Sequence, residues 1–373
     1  MERKDSLDFE DLIEKLGGFG KFQVMVYALA SLCSFYSGLF IVSPIFASKT
    51  LPYRCHVPFC DFNSSKNIEQ NDFLNFSIPW NEEKKSWDSC RMFPLKDLPI
   101  PASSVEEITF SQISTQSLSE YESESSAFLC SEDNFLNNET VSCDQWVYDH
   151  SDFISTTQSE FDLTCDDEWI IPMEMSSIMA GYLVGSLITG VISDKFGRIF
   201  GILFSAITLS FSGIAAAVFS YNYYIFLVLR FLGGIGAMGC FHVAFISAIE
   251  YIGIEWRTFC GVFFCVPFSI GEATLGLMAY YIRNWRMLLI ANSVPVIIIF
   301  SYYWIMPESV RWLVTKNKRK EAYKILQRAA SINNKYLPAD VEEYLQNQIW
   351  SKTHPDHFFH RWRRGLYHRR ILK

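Results

Sequence analysis

The chain has 373 residues, half of them hydrophobic, with 32 phenylalanines and a formal net charge of −8. That is more apolar mass than a soluble core of this length needs, and it is gathered into blocks of about 20 residues, enough to cross a ~30 Å hydrocarbon core at ~1.5 Å per residue. The charge is also partitioned: 48–169 carries 7 Lys+Arg against 23 Asp+Glu, whereas 307–373 carries 15 basic against 6 acidic residues. Short basic flanks are retained on the cytoplasmic side, so the partition predicts both termini inside and the long loop outside.

A charged leader, 1–21, ends in Leu16-Gly17-Gly18-Phe19-Gly20-Lys21 and lacks the apolar core of a cleavable signal, so the first membrane helix, 22–47, is expected to start insertion itself. That helix carries a polar stripe of Ser31, Ser34, Tyr36 and Ser37, readable as helix–helix contact or as ligand surface. The loop 48–169 follows. It holds Cys55, Cys60, Cys90, Cys130, Cys143 and Cys165, an even set with 15 possible pairings in an oxidising compartment. It also holds three glycosylation sequons, at Asn63, Asn75 and Asn138. A Ser/Glu-rich stretch, 103–126, reads as a flexible insert. The remaining cysteines, Cys33, Cys240, Cys260 and Cys265, fall in apolar runs and read as buried thiols.

Five further apolar runs fill 170–306. Between the first two lies Gly190-Val-Ile-Ser-Asp194-Lys195-Phe-Gly197-Arg198, expected to be a tight polar turn at a membrane–water boundary because Asp, Lys and Arg are costly at bilayer depth. The fourth helix contains Arg230, Gly233, Gly234, Gly236 and His242; an arginine there must face a wet cavity or an acidic partner. Glu250-x6-Arg257 follows at its end, as a solvated pair or as a latch coupled to Asp194 and Arg198. The fifth helix places Glu272 beside Pro267 and Gly271, and this carboxylate either neutralises Arg230 or faces a central cavity and attracts a cation. Pro307 stops the sixth helix, and Ala322, Ile325, Leu326 and Ala329 then recur at helical spacing on an amphipathic segment.

The spacing Gly-x-x-x-Asp-x-x-Gly-Arg resembles the loop 2–3 motif of the major facilitator superfamily, and Arg230-x-x-x-Gly234-x-Gly236 is similar to its helix 4 motif. The Leu-Gly-Gly-Phe-Gly leader, the cysteine-rich loop, Ile78-Pro79-Trp80 with Asp88-Ser89-Cys90, and Pro307-Glu308-Ser309-Val310-Arg311-Trp312-Leu313 resemble the organic cation/anion/zwitterion transporter family, solute carrier family 22, over 16–330. The resemblance implies an all-α integral membrane fold: the six-helix N-terminal bundle of such a transporter, with a large disulfide-bearing extracellular loop. It implies plasma-membrane transport of small organic ions by alternating access, with a gate built from Gly190, Asp194, Gly197, Arg198, Glu250 and Arg257. Ile199 stands where a further basic residue is usual.

The expected substrate-facing residues are Glu272, Arg230, Tyr36 and His242; Glu272 and the loop phrasing favour organic cations, Arg230 keeps organic anions open, and Tyr36 could stack on a quaternary ammonium. The basic end, 358–373, resembles the segment that precedes the seventh helix of that family, so the chain is expected to be half of the machine, as a truncated form or as a half-transporter that pairs with a second half or with itself. A non-transporting regulatory membrane protein is the competing class. No phosphate-cradling Gly-x-x-x-x-Gly-Lys loop, no His-Glu-x-x-His and no cytoplasmic paired-Cys spacing is present, so the sequence predicts no enzyme, no cofactor and no metal. The lipid bilayer and a small organic ion are the expected partners, and nucleic acid is not.

Overall fold

The computed structural model describes residues 9–58, 60–61, 72–82, 85–96, 130–338 and 341. Asn63, the Ser/Glu-rich stretch 103–126 and the basic end 358–373 lie outside the described residues. The chain divides into two compact units, one made of Met1–Pro44, Glu174–Ile282 and Arg286–Lys373, the other of Ile45–Met173 with Arg283–Trp285.

Among the described residues six helical segments are long and apolar enough to cross a membrane: Lys21–Ala47, Cys165–Phe196, Arg198–Phe219, Tyr223–Glu250, Ile254–Tyr281 and Trp285–Ile305, numbered here as spans one to six. In lipid each backbone donor and acceptor must be satisfied within the segment, which is why unbroken apolar runs become helices. Small residues set the closest crossings. A Cβ on Gly181 would collide with the carbonyl of Phe231 in span four, and one on Gly271 with the carbonyl of Phe35 in span one.

The serine stripe of span one is spent on its neighbours. Ser34 Oγ donates to the Phe264 carbonyl at 2.9 Å, and Ser37 Oγ to the Ala237 carbonyl at 2.9 Å. These bonds tie span one to spans five and four, so Ser34 and Ser37 serve helix association.

Two spans are less regular than an apolar run alone suggests. Span five is two helices, Ile254–Phe263 and Cys265–Tyr281, that meet at Phe264, with Pro267 in the first turn of the second helix, where its missing N–H costs nothing. Span six runs as an α-helix over Trp285–Ser293, tightens to a 3-10 helix over Val294–Ser301 and ends as an α-helix over Tyr302–Ile305. After Pro307 come short helices at Val310–Thr315 and Arg319–Ile332; the second buries Ala322, Leu326 and Ala329, the spacing of an amphipathic helix. Asn333 ties its end to the start of span one, accepting from Phe22 N at 2.9 Å and donating to the Leu16 carbonyl at 2.8 Å.

Among its described residues the loop unit has three two-stranded antiparallel ribbons. β1 (Tyr53–Cys55) pairs with β6 (Trp146–Tyr148), β2 (Trp80–Asn81) with β3 (Ser86–Trp87), and β4 (Arg91–Met92) with β5 (Val141–Ser142). Such short ribbons are marginal alone. Disulfides Cys55–Cys143, Cys60–Cys130 and Cys90–Cys165 cross-link them around a small core of Val57, Leu74, Ile78 and Phe135. A bidentate ion pair, Arg54 to Asp61 at 2.6 and 2.9 Å, is buried in the same unit.

Candidate functional site

The expected turn at 190–198 is much shorter in the structure. The helix of span two continues to Phe196, so Asp194 and Lys195 stand in its last turn, and span three begins at Arg198. Only Gly197 breaks the two, at φ +117° and ψ 160°, a conformation essentially reserved for glycine. Gly190 has no role in the reversal: it lies inside the helix, and a Cβ there would meet nothing within 4 Å.

What fixes this junction is Glu308. One carboxylate oxygen accepts from Arg198 N at 2.8 Å and Ser309 N at 3.0 Å, and the other from Ile199 N at 3.3 Å. The first amides of a helix have no partner within it and carry the positive end of its dipole, so a carboxylate at that end is doubly favoured. Burial still pushes the Glu308 carboxyl above its ordinary value, against the lowering effect of these amides and of Arg198. Tyr251 hydroxyl donates to the Glu308 main-chain carbonyl, and its phenol is pushed well up by burial first and by the Glu308 and Glu250 charges next.

The Arg198 guanidinium is a three-way node. Nη1 lies 2.5 Å from Asp194 Oδ1 and 2.7 Å from Ser193 Oγ, and Nη2 lies 3.0 Å from Glu250 Oε1. Spans two, three and four are thus joined through one side chain. Trp312 Nε1 donates to the Asp194 carbonyl at 3.0 Å, bringing the segment after span six onto the same node. A cleft of about 350 Å³ opens beside it, lined by Asp194, Arg198, Glu250, Arg311, Trp312 and Lys316 among others. Asp194 is 72% exposed into this region. Arg257, expected as the partner of Glu250, instead donates from Nε to the Ile252 carbonyl at 3.1 Å, while Glu250 is held by Arg198.

About 30 Å along span two, at the 1.5 Å rise of a helix, sits the second charged feature. Arg230 is 1% exposed, and its Nε forms an ion pair with Glu174 Oε1 at 2.7 Å. Nη2 donates to Ser43 Oγ, and the guanidinium lies 4.5 Å from the centre of the Phe40 ring. Of the two surroundings expected for this arginine the structure gives the acidic partner, and that partner is Glu174, not Glu272. The guanidinium is thus enclosed between Glu174 of span two and Ser43 and Phe40 of span one.

The other expected substrate-facing residues lie on spans one, four and five. Tyr36 is 6% exposed and packs edge-on to Phe35, with ring centres 5.5 Å apart. His242 is half-buried beside Phe241. Glu272 is half-buried and makes no ion pair or hydrogen bond among the described residues. No hydrogen bond, ion pair or ring contact among the described residues joins these three.

Residues 109–371 match the model of the family described as sugar (and other) transporter. The chain belongs to the sugar (and other) transporter family. The organic cation transporter protein of Drosophila melanogaster is 30% identical over 350 residues, covering 94% of this chain and 57% of that protein. Solute carrier family 22 member 4 of Mus musculus is 31% identical over 345 residues, covering 91% and 57%, and organic cation/carnitine transporter 2 of the same organism is 31% identical over 352 residues, covering 93% and 58%. With these relatives the chain is a member of solute carrier family 22 in the major facilitator superfamily, an all-α membrane fold. It spans just under three-fifths of their length.

In this family member two contributors escaped the sequence. Glu174 lay inside an apolar run, and its only signal was that a lone carboxylate there needs a cation. Glu308 was legible as part of a motif, but its capping of a helix that starts 110 positions earlier was not.

Proposed function

We propose that the chain supplies one six-helix wall of an alternating-access carrier for small organic ions, with organic cations as the substrates. The observation that carries the sign is the unequal treatment of two charges inside the spans. Arg230 is sealed and neutralised by Glu174, whereas Glu272 is half-buried and unpaired among the described residues. The charge left to meet a substrate is therefore negative, and Arg230 gives no support to an anion carrier. His242, half-buried on span four, is retained as a further substrate-facing candidate.

In this reading the Asp194–Arg198–Glu250 node is the latch of one conformational state. Glu308 and Trp312 couple it to the segment after span six, so a rocking motion has to break or carry the whole set. The latch lies at the cytoplasmic face, with both termini, and the loop unit lies outside a plasma membrane. Three disulfides and exposed asparagines at the Asn75 and Asn138 sequons support that sidedness. Alternating access needs an opposing bundle, supplied in the same polypeptide or by another chain.

Uptake of a fluorescent organic cation by cells carrying the protein at their surface tests the reading. Saturable uptake that is weakened by Glu272→Gln supports it. Surface expression without uptake above background defeats it and favours a non-transporting, partner-binding role.

A further inference from the structure

The loop unit contains a cavity of about 710 Å³ that the transport reading does not use. Its volume lies within the range of small-molecule sites, roughly 300–1,000 Å³. Three aromatic rings, Tyr53, Trp87 and Trp146, form part of its wall. Four carboxylates, Asp88, Asp166, Asp167 and Glu168, line it together with the one guanidinium of Arg91. We propose that this cavity is a binding site for bulky organic monocations, quaternary or protonated tertiary amines with apolar substituents.

The walls are fixed before any ligand arrives. Cys55–Cys143 and Cys90–Cys165 border the cavity, and β1–β6 and β4–β5 hold its aromatic and polar residues in register. Tyr53 hydroxyl accepts from Cys165 N at 3.1 Å, which pins the acidic turn Cys165–Ile170 against the aromatic wall. Asp88 is held in place by the amides of Cys90 at 2.8 Å and Arg91 at 3.2 Å. Asp166, Asp167 and Glu168 are exposed and form no side-chain ion pair among the described residues. Preorganisation of this kind lowers the entropy lost on binding.

The electrostatics favour a diffuse cation. Burial raises the Tyr53 phenol first, and the negative charges of Glu168 and Asp88 raise it further against the lowering hydrogen bond from Cys165, so the ring sits in a negative potential. Among the described residues no three carboxylate, histidine or cysteine groups converge as a metal ion requires. Spread charge around aromatic faces instead matches a cation whose own charge is spread over alkyl groups. The ligand class follows from these walls. Use of the site to collect substrate for the spans rests on the transport reading.

The test is photolabelling of the full chain in lipid nanodiscs with a diazirine-bearing trimethylammonium probe, followed by peptide mapping. Adducts are expected in the peptides that carry Trp87 and Trp146, and tetraethylammonium should compete them away. The triple variant Asp166→Asn, Asp167→Asn, Glu168→Gln should cut these adducts roughly tenfold, as should Trp87→Leu, which removes a ring face without touching charge. Disulfide mapping of each variant confirms an intact loop unit. Adducts confined to the spans, or labelling unchanged in both variants with disulfides intact, overturn the proposal. Glu272→Gln should leave the loop adducts unchanged, and loop adducts retained in a parent protein that shows no uptake above background remove only the transport reading.

Discussion

Arg230 Nε lies 2.7 Å from Glu174 Oε1, and both side chains are 1% exposed. The pair ties span four to the start of span two, with Ser43 and Phe40 of span one closing the cage. Breaking a buried pair by removing one partner leaves an uncompensated charge, which costs about 3–5 kcal/mol. Glu174→Gln should therefore lower the midpoint of thermal unfolding sharply. The double variant Glu174→Leu, Arg230→Met should recover most of that loss, because an apolar pair of similar volume is often neutral. A single variant as stable as the parent would remove the pair from this account.

Gly197 and Gly190 should behave in opposite ways when changed to alanine. At Gly197 the backbone is held at φ +117° and a Cβ would collide with the Glu308 carboxylate, so Gly197→Ala should destabilise by about 1–3 kcal/mol. Gly190 is helical with open space around it, and Gly190→Ala should be neutral or stabilise by about 0.5–1 kcal/mol. Comparing the two unfolding midpoints distinguishes a one-residue junction from a longer loop.

Glu308 should leave a signature in the pH dependence of stability. Its folded carboxyl is raised above the ordinary value of 4.5, with burial as the leading cause, so the native state binds this proton more tightly than the unfolded state. The contribution is fully present below about pH 4.5 and is lost as pH rises through the folded value. Relative to Glu308→Gln, which mimics the protonated group, the parent should lose stability as pH is raised from 4.5 towards neutrality. A parent that gains stability over the variant in that window would contradict the assignment.

The six spans were legible because lipid leaves an apolar run of that length one way to satisfy its backbone. Asp194, Arg198 and Glu250 were legible as motif positions, and Arg198 lies within hydrogen-bonding reach of both carboxylates. What escaped was tertiary. An alternating pattern of charge cannot say that Arg198 rather than Arg257 takes Glu250, because the choice depends on how three helix ends meet. Glu272 reads as a partner for Arg230 because it stands in mid-span, whereas Glu174 lies in the first turn of the helix of span two, and nothing in the apolar run around it says which arginine it meets. The end of span two was placed too early because Asp194 and Lys195 are polar, yet polar residues at a water-facing helix end keep their helical hydrogen bonds.

The disulfide framework is open to direct mapping. Six cysteines allow 15 pairings, and non-reducing peptide analysis should return Cys55–Cys143, Cys60–Cys130 and Cys90–Cys165 alone. Removing Cys90–Cys165, whose partners are 75 positions apart, should cost the loop unit up to about 4 kcal/mol through the freed unfolded chain. A different connectivity would undo the wall of the 710 Å³ cavity and the proposal built on it.

The account rests most heavily on Glu272 as the charge that selects a cation. The decisive measurement is concentration-dependent uptake of a labelled organic cation and a labelled organic anion, side by side, by cells carrying the parent protein or Glu272→Gln at equal surface level. The account predicts saturable cation uptake, a rise of roughly tenfold in the half-saturating concentration for the variant, and anion uptake at background in both. Cation affinity unchanged by the substitution, or anion uptake in the parent without cation uptake, would contradict it.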